Sequence, residues 1–219
     1  MVISILTLFP ELFSPVLNTS ILKRSQDKGL VRFIVHNIRD VATDSHKSVD
    51  DRPFGGGAGM IMRVDIVVKA LEIALQDAPS VKPNKRKIVL TEAAGVRFDQ
   101  KKARSYSRLD HLVLICGHYE GIDARINKYV DDRISIGPYV LTGGELPSLV
   151  IVDAVTRLIP GVLEKPESTD YESFSRHYET EPLQYTRPQV FRNQKVPSIL
   201  LSGNHKKIRE WNLKKPEND

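Results

Sequence analysis

The stretch HLVLICGHYEGID (residues 111–123) decides the fold, because in it an apolar run passes directly into a glycine-rich segment. A short apolar run that ends at a turn signal is typical of a strand buried on both faces of a parallel sheet. Similar runs occupy residues 2–8, 30–36 and 87–91, and a weaker one occupies residues 133–136. The sequence therefore predicts five strands.

Two helical patterns alternate with these strands. Apolar side chains recur at helical spacing in residues 65–77, and Asp65 is the expected N-cap. Residues 145–159 form a second amphipathic pattern, which Pro160 and Gly161 close. Alternating strands and helices predict an α/β fold built around a parallel sheet.

Composition divides the chain into three parts. Residues 1–160 contain the strand–helix alternation and are predicted to form one α/β domain. Residues 161–187 are expected to be a polar linker, because charged residues, serine, threonine and proline replace most aliphatic residues there. Residues 188–219 are predicted to form a short helical domain whose basic helix begins at the N-cap residue Asn204.

The bulk properties narrow the class of protein. Lys and Arg total 32 against 27 Asp and Glu, and the resulting charge of +5 permits a polyanionic partner without proving one. The single cysteine, Cys116, excludes an internal disulfide and is expected to be buried and inert. No apolar run has the length of a membrane span, and the apolar N-terminus stops at Pro10, so we expect a cytoplasmic protein without a membrane anchor.

Three glycine-rich segments are the candidates for function. GHYEGID (residues 117–123) and IGPYVLTGGELP (residues 136–147) each follow a predicted strand, where ligands bind in open α/β sheets. Backbone groups in two such loops could read an adenine edge. The third segment, VDDRPFGGGAGM (residues 49–60), combines charges with four glycines in five residues. Function is favoured there over a flexible loop, since the glycines let a ligand approach the backbone.

Several familiar sites are not predicted. The chain has neither the glycine pattern of dinucleotide-binding proteins nor a P-loop, and its histidines and lone cysteine lack the spacing of a zinc site. His118 is interpreted as a surface histidine. Asp170, Glu172 and His177 in the linker and Arg157 before it are candidate acid–base residues, although spacing alone favours solvated charge.

Together these segments resemble the bacterial tRNA (guanine-N1)-methyltransferase family, the TrmD family of the knotted SPOUT class. The resemblance covers almost the whole chain. It rests on the three glycine-rich segments and on LFPELF (8–13), RLIPGVL (157–163), YTRP (185–188) and LSGNH (201–205).

The resemblance implies a parallel sheet with a deep trefoil knot that holds S-adenosyl-L-methionine, a homodimer, and a tRNA anticodon stem-loop as substrate. It implies methyl transfer to N1 of the guanine at position 37, just 3′ of the anticodon. Three loops would then hold the donor, through Leu90, Thr91, Glu92, Gly95, Gly117, Tyr119, Glu120, Gly121, Ser135, Ile136, Gly137, Pro138, Tyr139, Val140, Leu141, Gly143 and Gly144.

The resemblance also implies the catalytic residues. The family has an aspartate just before a Ser-Phe pair, and Glu172 occupies that position here, which leaves Asp170 as a rival general base. Arg157 matches an arginine that would stabilise charge on the guanine. Magnesium assistance is a family trait, but no metal site is evident in the sequence. The implied tRNA contacts are Asp50, Arg52, Gly55, Gly59, Met60, Arg187, Asn204, His205, Lys206 and Arg209.

This chain departs from the family pattern at the donor loops. LTEAAG (residues 90–95) replaces a loop that usually contains Ser-Pro-Gln-Gly, His118 stands where arginine is common, and Pro138 stands where aspartate is common. Three alternatives stay open: a knotted enzyme that methylates a ribose hydroxyl, a non-catalytic RNA-binding protein with the same fold, and an unrelated nucleotide-binding α/β enzyme.

Overall fold

A computed structural model describes residues 1–165, 169, 172–175 and 178–212 of the chain. It divides into two compact units, Met1–Glu164 and Lys165–Asp219. No helix in the described ranges is both long enough and apolar enough to cross a membrane.

The first unit is built on a five-stranded parallel sheet in the order β2-β1-β6-β5-β7. All five predicted strands are confirmed. The strand predicted at residues 87–91 is longer than expected, because it continues to Arg97. The bounds of the five strands are β1 Val2–Thr7, β2 Arg32–Asn37, β5 Arg86–Arg97, β6 His111–Cys116 and β7 Asp132–Ser135. A small antiparallel pair, β3 Asp50–Asp51 and β4 Ile61–Met62, brackets the first glycine-rich segment.

Five α-helices belong to this unit: α1 Ser14–Leu17, α2 Ser20–Asp27, α3 Val64–Leu75, α4 Gln100–Tyr106 and α5 Glu145–Thr156. Both predicted helices are present, with shorter bounds than expected. Short 3₁₀ turns cover Pro10–Leu12, Ile38–Val41, Pro83–Lys85 and Ala124–Lys128. The other three helices were not predicted, because they have no more than eight residues each and show little apolar periodicity.

The predicted cap of α3 is wrong. Arg63 is the N-cap residue, and no side chain caps the helix there. Asp65 lies inside the first turn, where its carboxylate accepts a hydrogen bond from Arg63 (Nη2 to Oδ2, 2.8 Å). That pairing, with the side-chain bond from Arg63 as its main cause, lowers the pKa of Asp65. A negative charge in the first turn also complements the helix dipole.

Two apolar layers enclose the sheet, because successive side chains of a buried strand point to opposite faces. Ile3 and Ile5 of β1 join the layer that contains Val152 and Val155 of α5. Leu6 and the β6 residues Val113 and Ile115 join the layer of α3, which includes Ile66, Val67 and Leu71. Burial on both faces explains why these strands are continuously apolar rather than alternating.

The second unit contains a hairpin, β8 Val190–Phe191 with β9 Gln194–Lys195, and the helices α6 Ser198–Leu201 and α7 His205–Asn212. The predicted N-cap of α7 is confirmed, since Lys207 N donates to Asn204 Oδ1 at 3.1 Å. The hairpin was not anticipated from the sequence, because its strands are only two residues long.

Candidate functional site

A cavity lies beside residues 91–94 of β5, at the carboxyl ends of β6 and β7. Its volume of about 340 Å³ is within the size range of small-molecule pockets. Carboxyl ends of parallel strands meet at one edge of the sheet, and the loops that follow them enclose this space. The lining residues are Thr91, Glu92, Ala93, Ala94, Gly117, His118, Tyr119, Glu120, Gly121, Ile134, Ser135, Ile136, Gly137, Tyr139, Val140, Leu141, Thr142, Gly143, Gly144 and Pro147.

Direct backbone contacts hold the loops of this cavity together. Gly144 N donates to Gly117 O at 2.7 Å, and a β-bridge joins His118 to Gly143. The buried Thr91 hydroxyl lies 3.2 Å from Gly144 O and 3.1 Å from Ile115 O, so it can donate to either carbonyl. The loop after β6 and the loop before α5 therefore act as one surface.

Glycine is required at two positions of that surface. A Cβ on Gly144 would lie 2.2 Å from Thr91 Oγ1 and 2.8 Å from both Cys116 Cα and Gly117 N. A Cβ on Gly143 would lie 2.2 Å from Glu145 Oε2 and 2.4 Å from His118 Nδ1. Backbone atoms of neighbouring residues exclude a larger residue at Gly144, and the side chains of Glu145 and His118 occupy that space at Gly143.

The charge of the lining favours a ligand that carries positive charge. Glu92 and Glu120 line the cavity, and none of the described lining residues is lysine or arginine. Arg133 is not part of the lining, but it forms an ion pair with Glu92. Just beyond the loop, the Arg125 guanidinium holds the pKa of Asp123 down at about 2.

His118 is part of the cavity wall, so its interpretation as a surface histidine is wrong. Its side chain is only 20% exposed, and its ring packs against Phe9 at 4.9 Å between centroids. Among the described atoms its buried Nδ1 has no hydrogen-bond partner, and the nearest carboxylate oxygen, Glu145 Oε2, is 3.7 Å away. Glu145 is itself buried and accepts a hydrogen bond from Thr7 Oγ1 at 2.9 Å.

Cys116 is buried, as predicted, at the end of β6. Burial raises the pKa of its thiol far above the usual range. Its sulfur lies 3.2 Å from Ser148 Oγ. A protonated thiol is a poor nucleophile, so covalent catalysis through Cys116 is not supported.

The predicted donor residues converge on this cavity, with three exceptions. Leu90 is buried among the side chains of the α3 layer, Pro138 is exposed outside the lining, and Gly95 packs against the backbone of β7. The other fourteen named positions line the cavity. Six lining residues were not predicted as donor residues, although they lie inside the predicted loops or directly beside them: Ala93, Ala94, His118, Ile134, Thr142 and Pro147.

The first glycine-rich segment is joined to the same cavity. Glu120 N donates to Met60 O at 3.0 Å, and Met62 N donates to Gly121 O at 2.9 Å. A Cβ on Gly59, whose φ is +83°, would lie 2.5 Å from Glu120 Cγ. The segment therefore forms a rim next to the loop of residues 117–121.

Other predicted substrate residues of this segment lie near that rim or are exposed. Asp50 lies in β3 and is half-buried, whereas Arg52 and Gly55 are exposed. The neighbouring Phe54 side chain is fully exposed.

The predicted catalytic residues belong to different units. Arg157 follows α5 as its C-cap residue and is half-buried. Glu172 is half-buried in the second unit, and Asp170 lies outside the described residues, as does His177. In the second unit Arg187, Asn204, His205, Lys206 and Arg209 are all exposed. Among the described residues no group of three His, Cys, Asp or Glu side chains could hold a metal ion.

Comparison with known proteins identifies the family. A family model described as tRNA (Guanine-1)-methyltransferase TrmD matches residues 1–219. A protein of Carboxydothermus hydrogenoformans named tRNA (guanine-N(1)-)-methyltransferase is 50% identical over 215 residues, which are 98% of this chain and 82% of that protein. Proteins of the same name from Dictyoglomus turgidum (49% identity; 97% and 83% covered) and Dehalococcoides mccartyi (46%; 98% and 85%) are also similar. The chain belongs to the tRNA (guanine-N1)-methyltransferase family.

Proposed function

We propose that this protein transfers a methyl group from S-adenosyl-L-methionine to N1 of the guanine at tRNA position 37, on the 3′ side of the anticodon. The observation that carries the proposal is the cavity beside β5 and at the ends of β6 and β7, which lies in a chain of this methyltransferase family. Since its substrate is tRNA, the protein would act in the cytoplasm.

The cavity suits the methyl donor in size, charge and shape. Glu120 favours a ligand that carries a sulfonium and an ammonium group, whereas the charge of Glu92 is already paired with Arg133. Backbone groups around the tight Gly143–Gly144 pair can approach the adenosine closely, and the buried Nδ1 of His118 offers one more polar atom. The donor residues proposed are the fourteen predicted positions that line the cavity, within a trefoil knot that threads residues 136–144 past residues 117–121.

The donor supplies an electrophilic methyl group, so the protein must align the guanine and remove its N1 proton. Alignment of reacting atoms can account for much of the acceleration. The proposed general base is Glu172, with Asp170 as its rival, since a carboxylate held on N1–H can accept that proton. Arg157, which follows the helix that begins at Glu145, would stabilise negative charge at guanine O6.

The tRNA would bind through residues of both units. The rim residues Asp50, Arg52, Gly55, Gly59 and Met60 adjoin the cavity loop, and they would hold the nucleotides around the target. Arg187, Asn204, His205, Lys206 and Arg209 of the second unit are exposed and carry three positive charges for phosphates. An anticodon loop suits this enzyme, because an unpaired base is extruded more easily than a base in a duplex.

A homodimer is part of the proposal. Leu146 and Val150 lie one turn apart on α5, and their side chains are 58% and 47% exposed. Val16 of α1 shares a shallow groove with Asp153 of α5 and is 40% exposed. An apolar surface of this kind is typical of a subunit interface.

Mapping of the methylated nucleotide tests the function. We expect a reaction of purified protein with labelled donor and an unmodified tRNA transcript to give one methylguanine at position 37, detected by mass spectrometry of nuclease fragments. A parallel reaction that contains EDTA tests magnesium assistance. A transcript with adenine at position 37 should accept no methyl group. Continued acceptance would point to ribose methylation, and absent incorporation despite measured donor binding would point to a non-catalytic RNA-binding protein.

The choice between the two carboxylates requires a separate experiment. We expect Glu172→Gln to lower the single-turnover rate of methyl transfer by about 10²-fold or more, because the amide cannot accept the N1 proton. Affinity for S-adenosylhomocysteine, measured by calorimetry, should hardly change. The matched variant Asp170→Asn should retain most of the rate. The opposite pattern would assign the base to Asp170.

A further inference from the structure

Positive charge is concentrated in one part of the second unit. Residues 182–209 contain six Lys and Arg residues and no Asp or Glu. The positive charge of this segment alone is therefore at least as large as the net charge of +5 of the whole chain. All six are exposed: Arg187, Arg192, Lys195, Lys206, Lys207 and Arg209. The charge of this surface is therefore complementary to a polyanion.

The β8–β9 hairpin presents an aromatic ring on this basic surface. Phe191 is 59% exposed, although it belongs to a strand and pairs with Gln194. The guanidinium of Arg192 lies over that ring, with 5.3 Å between its central carbon and the ring centroid. The charge of Arg192 therefore lies against one face of an exposed aromatic ring.

The turn that carries Arg192 is strained. Arg192 and Asn193 have φ values of +47° and +68°, as a two-residue hairpin turn requires, but such turns favour glycine or asparagine. The Cβ of arginine is sterically disfavoured in this left-handed conformation, which a glycine adopts without that cost. An arginine held in this conformation at an exposed position motivates a functional hypothesis.

We propose that Phe191 and Arg192 form a stacking site for an unpaired base of the tRNA anticodon loop. This inference rests on the proposed function and adds a contact that methyl transfer itself does not require. Every base has a π face, so an exposed ring beside a guanidinium binds an unpaired base in a way that tolerates sequence. The surrounding positive charges would hold the adjoining phosphates.

The experiment uses the full chain and anticodon stem-loops in which 2-aminopurine replaces one unpaired base at a time. We expect binding to quench the fluorescence at one loop position, because the probe base stacks on the ring. Phe191→Ala should abolish that quenching and weaken stem-loop binding by about tenfold. Phe191→Trp should restore both, since it also offers a flat aromatic face.

Variants at neighbouring positions separate stacking from charge and from folding. Val190→Ala is the matched control, because the side chain before Phe191 points to the other face of the strand and should leave binding unchanged. Arg192→Lys keeps the charge, and it should reduce quenching while the salt dependence of binding stays the same. Arg192→Gly relaxes the turn, so it should weaken binding without lowering the melting temperature.

Two results would overturn the stacking site. One is unchanged quenching and affinity in Phe191→Ala. The other is a change in the dimer dissociation constant of Phe191→Ala with RNA binding intact, which would make the hairpin an interface between copies of the chain. Methyl transfer to full-length tRNA by the wild-type protein distinguishes these failures from failure of the proposed function, because it tests the function without the hairpin variants.

Discussion

At the scale of single residues, the shape of the cavity depends on glycines, which lack a Cβ atom, as much as on the side chains of other residues. Gly143 and Gly144 let the loop before α5 lie directly on the loop after β6. Thr91 of β5 then bonds across this junction. A methyl group at this junction would meet backbone atoms, which cannot rotate away as the end of a flexible side chain can.

Gly144→Ala tests this packing. We expect a loss of about 1–3 kcal/mol in the free energy of unfolding, because the added carbon would overlap Thr91, Cys116 and Gly117. Affinity for S-adenosylhomocysteine should fall at least about tenfold, which corresponds to about 1.4 kcal/mol of binding free energy. Thermal melting and calorimetric titration measure the two effects.

The control is Gly117→Ala in the neighbouring loop. There the nearest atom to an added Cβ would be Thr91 O at 3.4 Å, so the fold has room for the methyl group. A melting temperature that falls as much in this variant as in Gly144→Ala would contradict the packing argument.

At the scale of elements, a buried polar cluster joins the end of α3 to the amino-terminal part of the sheet. Arg86 Nε donates to His111 Nδ1 at 3.1 Å, so the neutral ring carries its proton on Nε2. That nitrogen lies 2.8 Å from Ser4 Oγ, and the Ser4 hydroxyl donates to Asp77 at 2.6 Å. His36 reaches the same carboxylate at 2.7 Å. The cluster therefore connects four strands, β1, β2, β5 and β6, with the residues that follow α3.

The buried histidine of this cluster makes the free energy of unfolding depend on pH. Burial, followed by the charge of Arg86, lowers the pKa of His111 to about 4, below the ordinary value of 6.5. Between these two values the unfolded chain binds more protons than the folded protein, so stability falls as the pH falls from 6.5 towards 4. The shift corresponds to a loss of about 3 kcal/mol at most.

Urea unfolding at a series of pH values measures this slope. His111→Gln should flatten it, because glutamine can accept from Arg86 and donate to Ser4 without taking up a proton. His46→Gln, at an exposed histidine, should leave the slope as in the wild type. Equal slopes in the wild type and His111→Gln would show that His111 does not control acid stability.

At the scale of the whole molecule, the proposed dimer would cover the apolar surface of α1 and α5. We predict that Val150→Glu shifts the protein towards the monomer, because it places a charge among Val16 and Leu146 that association would have to desolvate. Sedimentation velocity over a range of concentrations measures the dissociation constant, which should rise at least about tenfold, or 1.4 kcal/mol.

Ile73→Glu is the matched control for this surface. Ile73 is 50% exposed on α3, which lies on the other side of the sheet, and its replacement should leave association unchanged. A dimer that survives Val150→Glu but dissociates in Ile73→Glu would move the interface to α3.

Much of the fold follows from local pattern. The five strands of the sheet were predictable, because continuous apolar runs such as residues 111–116 have few other stable environments. Helix bounds were less accurate, since Arg63 rather than Asp65 is the N-cap of α3 and α5 ends at Thr156. Motif resemblance led to the cavity loops, but it gave no indication that Pro138 would lie outside the lining.

The amino-acid sequence by itself determined the α/β class, the strand set, the burial of Cys116 and the family, because short-range apolar patterns and residue motifs carry that information. Only the tertiary structure decided that His118 lies in the cavity wall beside Glu145, and that Ser4, Asp77 and His111 meet beneath α3. Those contacts join residues 27 to 107 positions apart, so they depend on how the strands are ordered in the sheet, and no local pattern encodes that order.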